Sequence, residues 1–320
     1  MKRITRLILR MVGLIVLGAV LMNVAISQPT FRKNSLSSES VSAEKLKAHV
    51  VMLSQTLHPR DWSHPENMER CAAYIAMHLT NAGAVVESQC FEMNRKRYRN
   101  VIGRFGSGQG PKIIVGAHYD SCGDTPGADD NASGVAALIE LAYLLQKTPP
   151  ETEVELVAYA LEEPPFFQTD QMGSAVHAKR VAGQKIKGVI VLEMVGYFRD
   201  EWGSQSFPSA LLQLWYPSKG NFIGVVGPSD QGTWIKAVKV GMKGSTDLPV
   251  YSIRAPSALP GIDLSDHASY WPYSINAVMI TDTSFYRNPA YHQAEDTANQ
   301  LDYTRMSKVV VAVSAALRTL

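Results

Sequence analysis

Two kinds of apolar spacing alternate along this chain. Apolar residues three and four apart (Leu46, Val50, Leu53; Cys71, Ile75, Leu79) predict amphipathic helices over residues 43–55 and 65–82. Short apolar runs bounded by turn residues predict strands over 85–92, 98–104, 112–118, 153–160 and 188–194, interleaved with helices over 133–146 and 173–181. Further strands are expected over 221–227, 248–254 and 277–282, with a closing helix over 304–317. Interleaving of this kind implies a mixed, largely parallel α/β sheet flanked by helices on both faces. Residues 199–220 hold two Trp- and Pro-containing segments without regular period, and are expected to form a long loop over a site. The glycine-rich stretch 106–110 lacks a following Gly-Lys-Ser/Thr and opens no helix, so it predicts a turn between strands rather than a phosphate loop.

The first 27 residues stand apart. Lys2, Arg3, Arg6 and Arg10 precede an apolar run over 11–24, and Ala25-Ile26-Ser27 offers small residues where a cleavage site would lie. The run is shorter than the roughly 20 residues a comfortable membrane span needs, which favours an export signal over a retained anchor. Either puts the body, with a polar linker over 28–41 and one catalytic domain over 42–320, outside the cytoplasm as an exported or membrane-anchored protein. Any membrane contact would be through the N-terminal segment alone.

Charge then changes the picture of partners. The chain carries 31 basic and 29 acidic residues, and four of the basic ones precede Gln28, leaving 27 against 29, a net −2. A near-neutral body without a basic stripe excludes a nucleic-acid partner. Three cysteines (Cys71, Cys90, Cys122) make no disulfide framework, although export would allow Cys71 to pair with Cys90. Cys122, with no cysteine-protease context around it, is expected to be a small loop residue.

The candidate chemistry gathers at predicted strand ends. The stretch GAHYDSCGDTPGADDNASG (residues 116–134) follows one strand and opens one helix, and it carries His118, Asp120, Asp129 and Asp130. Glu162 and Glu163 end the strand before Pro164-Pro165; Glu193 ends an apolar strand; His292 follows the strand that ends near Asp282. An isolated Glu pair, acid or His at such places is usually structural. Together, on one edge of one sheet, they form a ligand set for two zinc-like ions with a bridging carboxylate and open positions for water and substrate.

In order, AHYDS, GADDNASG, ALEEPP, LEMVGYF, SDHASYW and YHQAEDT resemble the M28 family of zinc peptidases, the co-catalytic metallo-aminopeptidases and their relatives, from about Glu44 to the C-terminus. The resemblance implies a zinc-exopeptidase fold with a mixed sheet of about eight strands. It implies His118, Asp130, Glu163, Glu193 and His292 as ligands of two Zn2+ ions, with Asp130 bridging and Asp129 left as a loop acid. It implies Glu162 as general base, Asp120 as the acid that orients His118, and Tyr291 as a hydrogen-bond donor to the developing oxyanion. Many family members have Asp where Glu193 stands; one extra methylene moves the carboxylate by roughly 1.5 Å, so the backbone must compensate or that ion is held more loosely. The implied activity is release of N-terminal residues from peptides with a free N-terminus, the α-amino group docking near a zinc and carboxylates such as Glu162 and Glu193.

Other readings on the same fold are carboxypeptidase activity and glutaminyl-cyclase activity, the latter with one zinc; Asp130 with both His118 and His292 argues for two. A non-catalytic membrane-tethered ectodomain predicts gaps in the ligand set, and the sequence has none. A dinuclear phosphoesterase would need a phosphate cradle that is not recognisable here. Contiguous Ser265-Asp266-His267 cannot converge as a nucleophilic triad and resembles the family's SDH segment, expected to support the site wall, with His267 not a zinc ligand.

Overall fold

The computed structural model describes residues 2–31, 34–106, 108 and 110–320. Among these residues, eight strands form one mixed sheet: β1 (Val85–Met93), β2 (Lys96–Phe105), β3 (Lys112–His118), β4 (Val154–Tyr159), β5 (Ile186–Leu192), β6 (Ile223–Pro228), β7 (Val250–Ala255) and β8 (Ala277–Thr281). Their order across the sheet is β1-β2-β4-β3-β5-β8-β6-β7. β4, β3, β5 and β8 run parallel, as do β6 and β7, while β1, β2 and the β6–β8 junction are antiparallel. Every residue of β4 and β8 is buried, as expected of strands covered on both faces, whereas β1 alternates between exposed and half-buried positions at the sheet edge.

Among the described residues, seven α-helices accompany the sheet: α1 (Lys2–Ser27), α2 (Ala43–Val51), α3 (Pro65–Asn81), α4 (Gly134–Lys147), α5 (Gly173–Val181), α6 (Gly232–Met242) and α7 (Tyr303–Thr319). The stripe Met68, Cys71, Ile75 and Leu79 seats α3 in the main core, as the spacing predicts. α2 opens on Ser42, whose hydroxyl accepts from the Lys45 N–H. The predicted helix over 43–55 continues as a wider turn from Met52 to Thr56.

The sequence pattern did not lead to α6. Trp234, Ile235, Val238 and Met242 do recur at helical spacing, and Trp234 packs its ring where a Cβ on Gly188 would come within 2.3 Å, so β5 must carry glycine there. In α1, Thr5–Ser27 spans 23 residues with a mean hydropathy of 2.3, long and apolar enough to cross a membrane, so the apolar run 11–24 understated it. The end of α1 is fastened to the body: the Ser27 carbonyl accepts from Lys239 Nζ (2.7 Å) and Ser252 Oγ (2.9 Å). Beyond it, Asn34 N–H donates to Lys243 O and Ser37 N–H to Ser245 O, so these residues run along the body rather than hanging free. Arg32 and Lys33 of the predicted linker, and Ser107 and Gln109 of the predicted glycine-rich turn, lie outside the described residues.

Cys71 and Cys90 do not pair. Cys71 is buried on the core face of α3 and Cys90 is exposed on β1, both as free thiols. The loop 199–220 is irregular apart from one 3-10 turn at Ala210–Leu214, and its residues Gln205 to Pro208 wall a cavity at the carboxyl edge of the sheet.

Candidate metal centre

Sheet order explains the site. β4, β3 and β5 are consecutive neighbours, so the residues that leave their carboxyl ends meet within a few strand spacings. His118 is the last residue of β3 and fully buried; Glu162 and Glu163 follow β4; Glu193 follows β5. Leu161, before the glutamate pair, and Met194, after Glu193, both have positive φ (61° and 49°). For residues other than glycine that conformation costs about 1–2 kcal/mol, strain that collects where side chains must be re-aimed.

The loop after β3 is held by Arg60, fully buried, whose guanidinium donates to the carbonyls of Leu53, Tyr119, Pro126 and Gly127 at 2.7–3.0 Å. Gly127 turns the chain at φ 56°; a Cβ there would lie 2.3 Å from Asp130 O. Asp296 then accepts from the N–H groups of both Asp129 and Asp130. Asn131 ties the loop to β5, donating to Leu192 O and accepting from the Gly134 and Met194 N–H groups.

These restraints bring all five expected ligands together. Asp130 presents Oδ1 to His118 Nε2 (3.3 Å) and Oδ2 to His292 Nε2 (3.1 Å), so one carboxylate spans the two imidazoles. Glu193 Oε2 is also 3.3 Å from His118 Nε2, and Glu163 Oε2 is 3.2 Å from His292 Nε2. Glu162 Oε2 stands 3.9 Å from His118 Nε2. The longer Glu193 thus stands as close to His118 as Asp130 does, with Ser265 Oγ donating to it at 2.7 Å. Asp120 Oδ1 lies 3.3 Å from His118 Nδ1, and its two oxygens accept from the Glu162 and Glu163 N–H groups. Tyr291 stacks on His292, ring centroids 3.8 Å apart and planes within 19°.

The electrostatics call for a cation. Five carboxyl groups (Asp120, Asp130, Glu162, Glu163, Glu193), all buried, surround two imidazoles. Burial raises Glu162 well above the carboxylate range; the charge of His118 opposes this, while Glu163 and Glu193 add to it. Burial, then the neighbouring Asp130, pushes Glu163 up to about 7. Burial works against a charged His292, yet contacts with Asp130, Cys122 and Glu163 outweigh it and raise the ring to about 12. Burial likewise opposes ionisation of Asp130, and the two imidazoles overcome it and hold this carboxyl below its ordinary value. His118 Nε2 and Glu163 Oε1 are buried without a hydrogen-bond partner although surrounded by polar atoms. Imidazole nitrogen and carboxylate oxygen are zinc donors, and two orphaned donor atoms aimed into one acidic cluster fit divalent ions.

Asp129 lies in the loop, as expected, with a structural part to play. It is fully buried, accepting from Gly196 N–H and Asn288 Nδ2 at 3.0 and 2.9 Å, and so braces the loop from behind while its neighbour faces the imidazoles. His267 is fully buried, its Nε2 2.7 Å from Ile262 O, apart from the ligand cluster. Ser265, expected as part of the site wall, reaches Glu193 directly. Asn131, Asp296 and Arg60 were missed as parts of the site; Asn131 and Asp296 sit in segments that the resemblance marked, but a lone arginine at position 60 carries no signal in the sequence.

The sequence profile of peptidase family M28 matches residues 100–317. The chain belongs to this family. It is 45% identical over 298 residues to the Uncharacterized protein YfbL of Escherichia coli K12, which spans 91% of this chain and 92% of that protein. Among solved structures, this M28 chain resembles the zinc aminopeptidase BSAP of Bacillus subtilis (TM-score 0.69, 14% identity, 86% of this chain and 94% of that one). It also resembles the glutaminyl cyclase of Bacteroides thetaiotaomicron (TM-score 0.66, 20% identity, 88% and 99%). At these identities both likenesses speak for the fold, and the family itself implies zinc.

Proposed function

We propose that this chain is a metallo-aminopeptidase that hydrolyses the first peptide bond of substrates with a free N-terminus. The observation that carries the reading is Asp130, whose two oxygens face His118 and His292 with Glu162 beside them. His118, Asp130 and Glu193 would hold one ion, and Asp130, Glu163 and His292 the other. Bound ions supply Lewis acidity, polarising the scissile carbonyl and bringing a water's pKa towards about 7.

The protein's own groups do the rest. Glu162, one residue from a ligand and held through its N–H by Asp120, takes the proton of the attacking water and returns it to the leaving amine. Burial raises its affinity for a proton, which strengthens it as the base provided that bound cations keep it ionised. Burial, with the nearby carboxylates adding to it, raises Tyr291 and so keeps its hydroxyl a donor, available to the oxyanion that develops on the carbonyl. The adjoining cavity, about 240 Å³, is walled by apolar side chains including Phe207, Val226, Ile253, Leu259, Met279 and Phe285, which suit a large apolar N-terminal side chain. Arg6 and Arg10 in the first turns of α1 would stay on the cytoplasmic side and leave the catalytic body outside, with α1 as signal or anchor.

The test is metal analysis together with hydrolysis of aminoacyl and N-acetylated peptides. Two zinc ions per chain, cleavage of free peptides and no cleavage of blocked ones are expected. Equal rates on blocked substrates would refute the aminopeptidase reading, and conversion of N-terminal glutamine to pyroglutamate would assign cyclase chemistry instead.

A further inference from the structure

The loop between β3 and the bridging aspartate brings a thiol up to the His292 end of the cluster. Cys122 Sγ, a Glu163 carboxylate oxygen and a His292 ring nitrogen all lie within 4.8 Å of one another. Two hydrogen bonds to the Cys122 carbonyl, from the N–H (3.1 Å) and Oγ1 (2.8 Å) of Thr125, fix the turn that carries the thiol. An independent observation points to the same place: Glu163, 4% exposed, holds Oε2 against His292 while its Oε1 is buried without a partner. A carboxylate oxygen buried without a donor is costly unless a cation satisfies it.

We propose that Cys122 is a fourth protein ligand of the ion at the His292 end, joining His292, Glu163 and the shared Asp130. This rests on the two-ion reading and deepens it, because the two ends then differ in kind. Four protein donors complete a tetrahedral zinc site, whereas His118, Asp130 and Glu193 leave a position open for water beside Glu162. The His292 end would then hold its ion the more tightly, and water and substrate would have their open position at the His118 end, beside Glu162. Sulfur also makes the His292 end prefer thiophilic ions such as zinc and cadmium to manganese. On loading, the thiol gives its proton to solvent and the sulfur takes up the ion, so metal binding releases one proton from this residue.

The decisive experiment uses the full-length protein loaded with Co2+ in place of zinc. A sulfur-to-cobalt charge-transfer band in the near ultraviolet is expected in the wild type and in Cys90→Ser, and its loss in Cys122→Ser. Alkylation of Cys122 by iodoacetamide, read by mass spectrometry, should be fast after chelation and slowed roughly tenfold or more by two equivalents of zinc. The more tightly bound zinc of Cys122→Ser should weaken by at least about 10-fold. Two bound ions in the wild type with no sulfur band and no zinc protection would overturn the proposal while leaving the aminopeptidase reading standing. A wild type that binds fewer than two ions would overturn the two-ion reading first. Should Cys122→Ser fail to fold, the wild-type spectrum and alkylation rates still decide.

Discussion

Replacing Asp120 by Asn tests the centre through a residue that touches no ion in the proposed arrangement. Asp120 is 1% exposed, and both of its oxygens act as acceptors: Oδ1 towards His118 Nδ1 (3.3 Å) and Glu162 N–H (3.1 Å), Oδ2 towards Glu163 N–H (3.0 Å). An amide of the same shape offers one acceptor and one NH2. Placed at the Oδ2 position, the NH2 opposes the Glu163 N–H; placed at the Oδ1 position, it opposes the Glu162 N–H and His118 Nδ1. The second arrangement also asks Nδ1 to accept, which puts the imidazole proton on Nε2, the atom that must bind the ion.

Either choice loses a charge-assisted hydrogen bond, about 1.5–3 kcal/mol, and leaves a buried N–H opposed by a donor. Support of this kind for a ligating histidine is worth about 10–100-fold in metal affinity, and kcat/KM should fall by at least as much. The assay is zinc affinity by chelator competition, with kcat/KM on a leucyl chromogenic substrate and a denaturant titration of the metal-free protein to separate site from fold. Asp120→Asn with wild-type zinc affinity and wild-type kcat/KM would refute the argument that this carboxylate sets the His118 tautomer.

Other expectations follow from the same geometry. Glu162→Gln should keep both ions and lose about 10²–10⁴ in kcat, read by metal analysis beside steady-state rates; an unchanged rate would remove Glu162 as the base. Arg60→Met strips the donors from four carbonyls, three of them buried, and should cost about 3 kcal/mol or more of stability in denaturant unfolding; a change below 1 kcal/mol would mean water replaces them at little cost. Burial lowers His267 from 6.5 to about 4 against the pull of the Ile262 carbonyl, so the unfolded chain takes up this proton first. Its contribution is therefore complete above pH 6.5 and is lost as the pH falls towards about 4, at most ~3 kcal/mol. His267→Asn should flatten the stability-against-pH curve over that window by up to one proton, and an identical slope would sink the assignment. Ile253→Asp should reduce the preference for leucyl over alanyl substrates by roughly 10-fold, measured as a ratio of kcat/KM values; an unaltered ratio would show that the apolar cavity does not receive the N-terminal side chain.

Much of this protein is written locally. Short apolar runs and the period-3.6 pattern located the strands and all but one of the helices of the body, because burying apolar surface is a local requirement that each segment must meet with its own residues. Ligand types at predicted strand ends pointed to His118, the Asp129-Asp130 and Glu162-Glu163 pairs, Glu193 and His292 for the same reason: metal donors are few in kind, and an open α/β sheet presents its sites at one edge; the family resemblance chose Asp130 and Glu163 within the pairs. α6 escaped because its apolar stripe is interrupted by Lys236, Lys239 and Gly241, so its helical period stood out only once Trp234 was seen against Gly188.

What the chain could not declare by itself is which segments become neighbours. The order β4-β3-β5 sets Glu163, His118 and Glu193 side by side, and it arises from crossovers whose partners lie tens of residues apart in sequence. Adjacent Asp129 and Asp130 are chemically identical in the sequence; the turn at Gly127 and the acceptor Asp296 send one towards Asn288 and Gly196 and the other between two imidazoles. Cys71 and Cys90 looked able to pair, yet one is buried on the core face of α3 and the other exposed on β1. Cys122 looked like filler and stands against Glu163 and His292. Residue type and local period decide what a segment can do, but long-range packing decides what it faces, and a metal centre is made of what faces what.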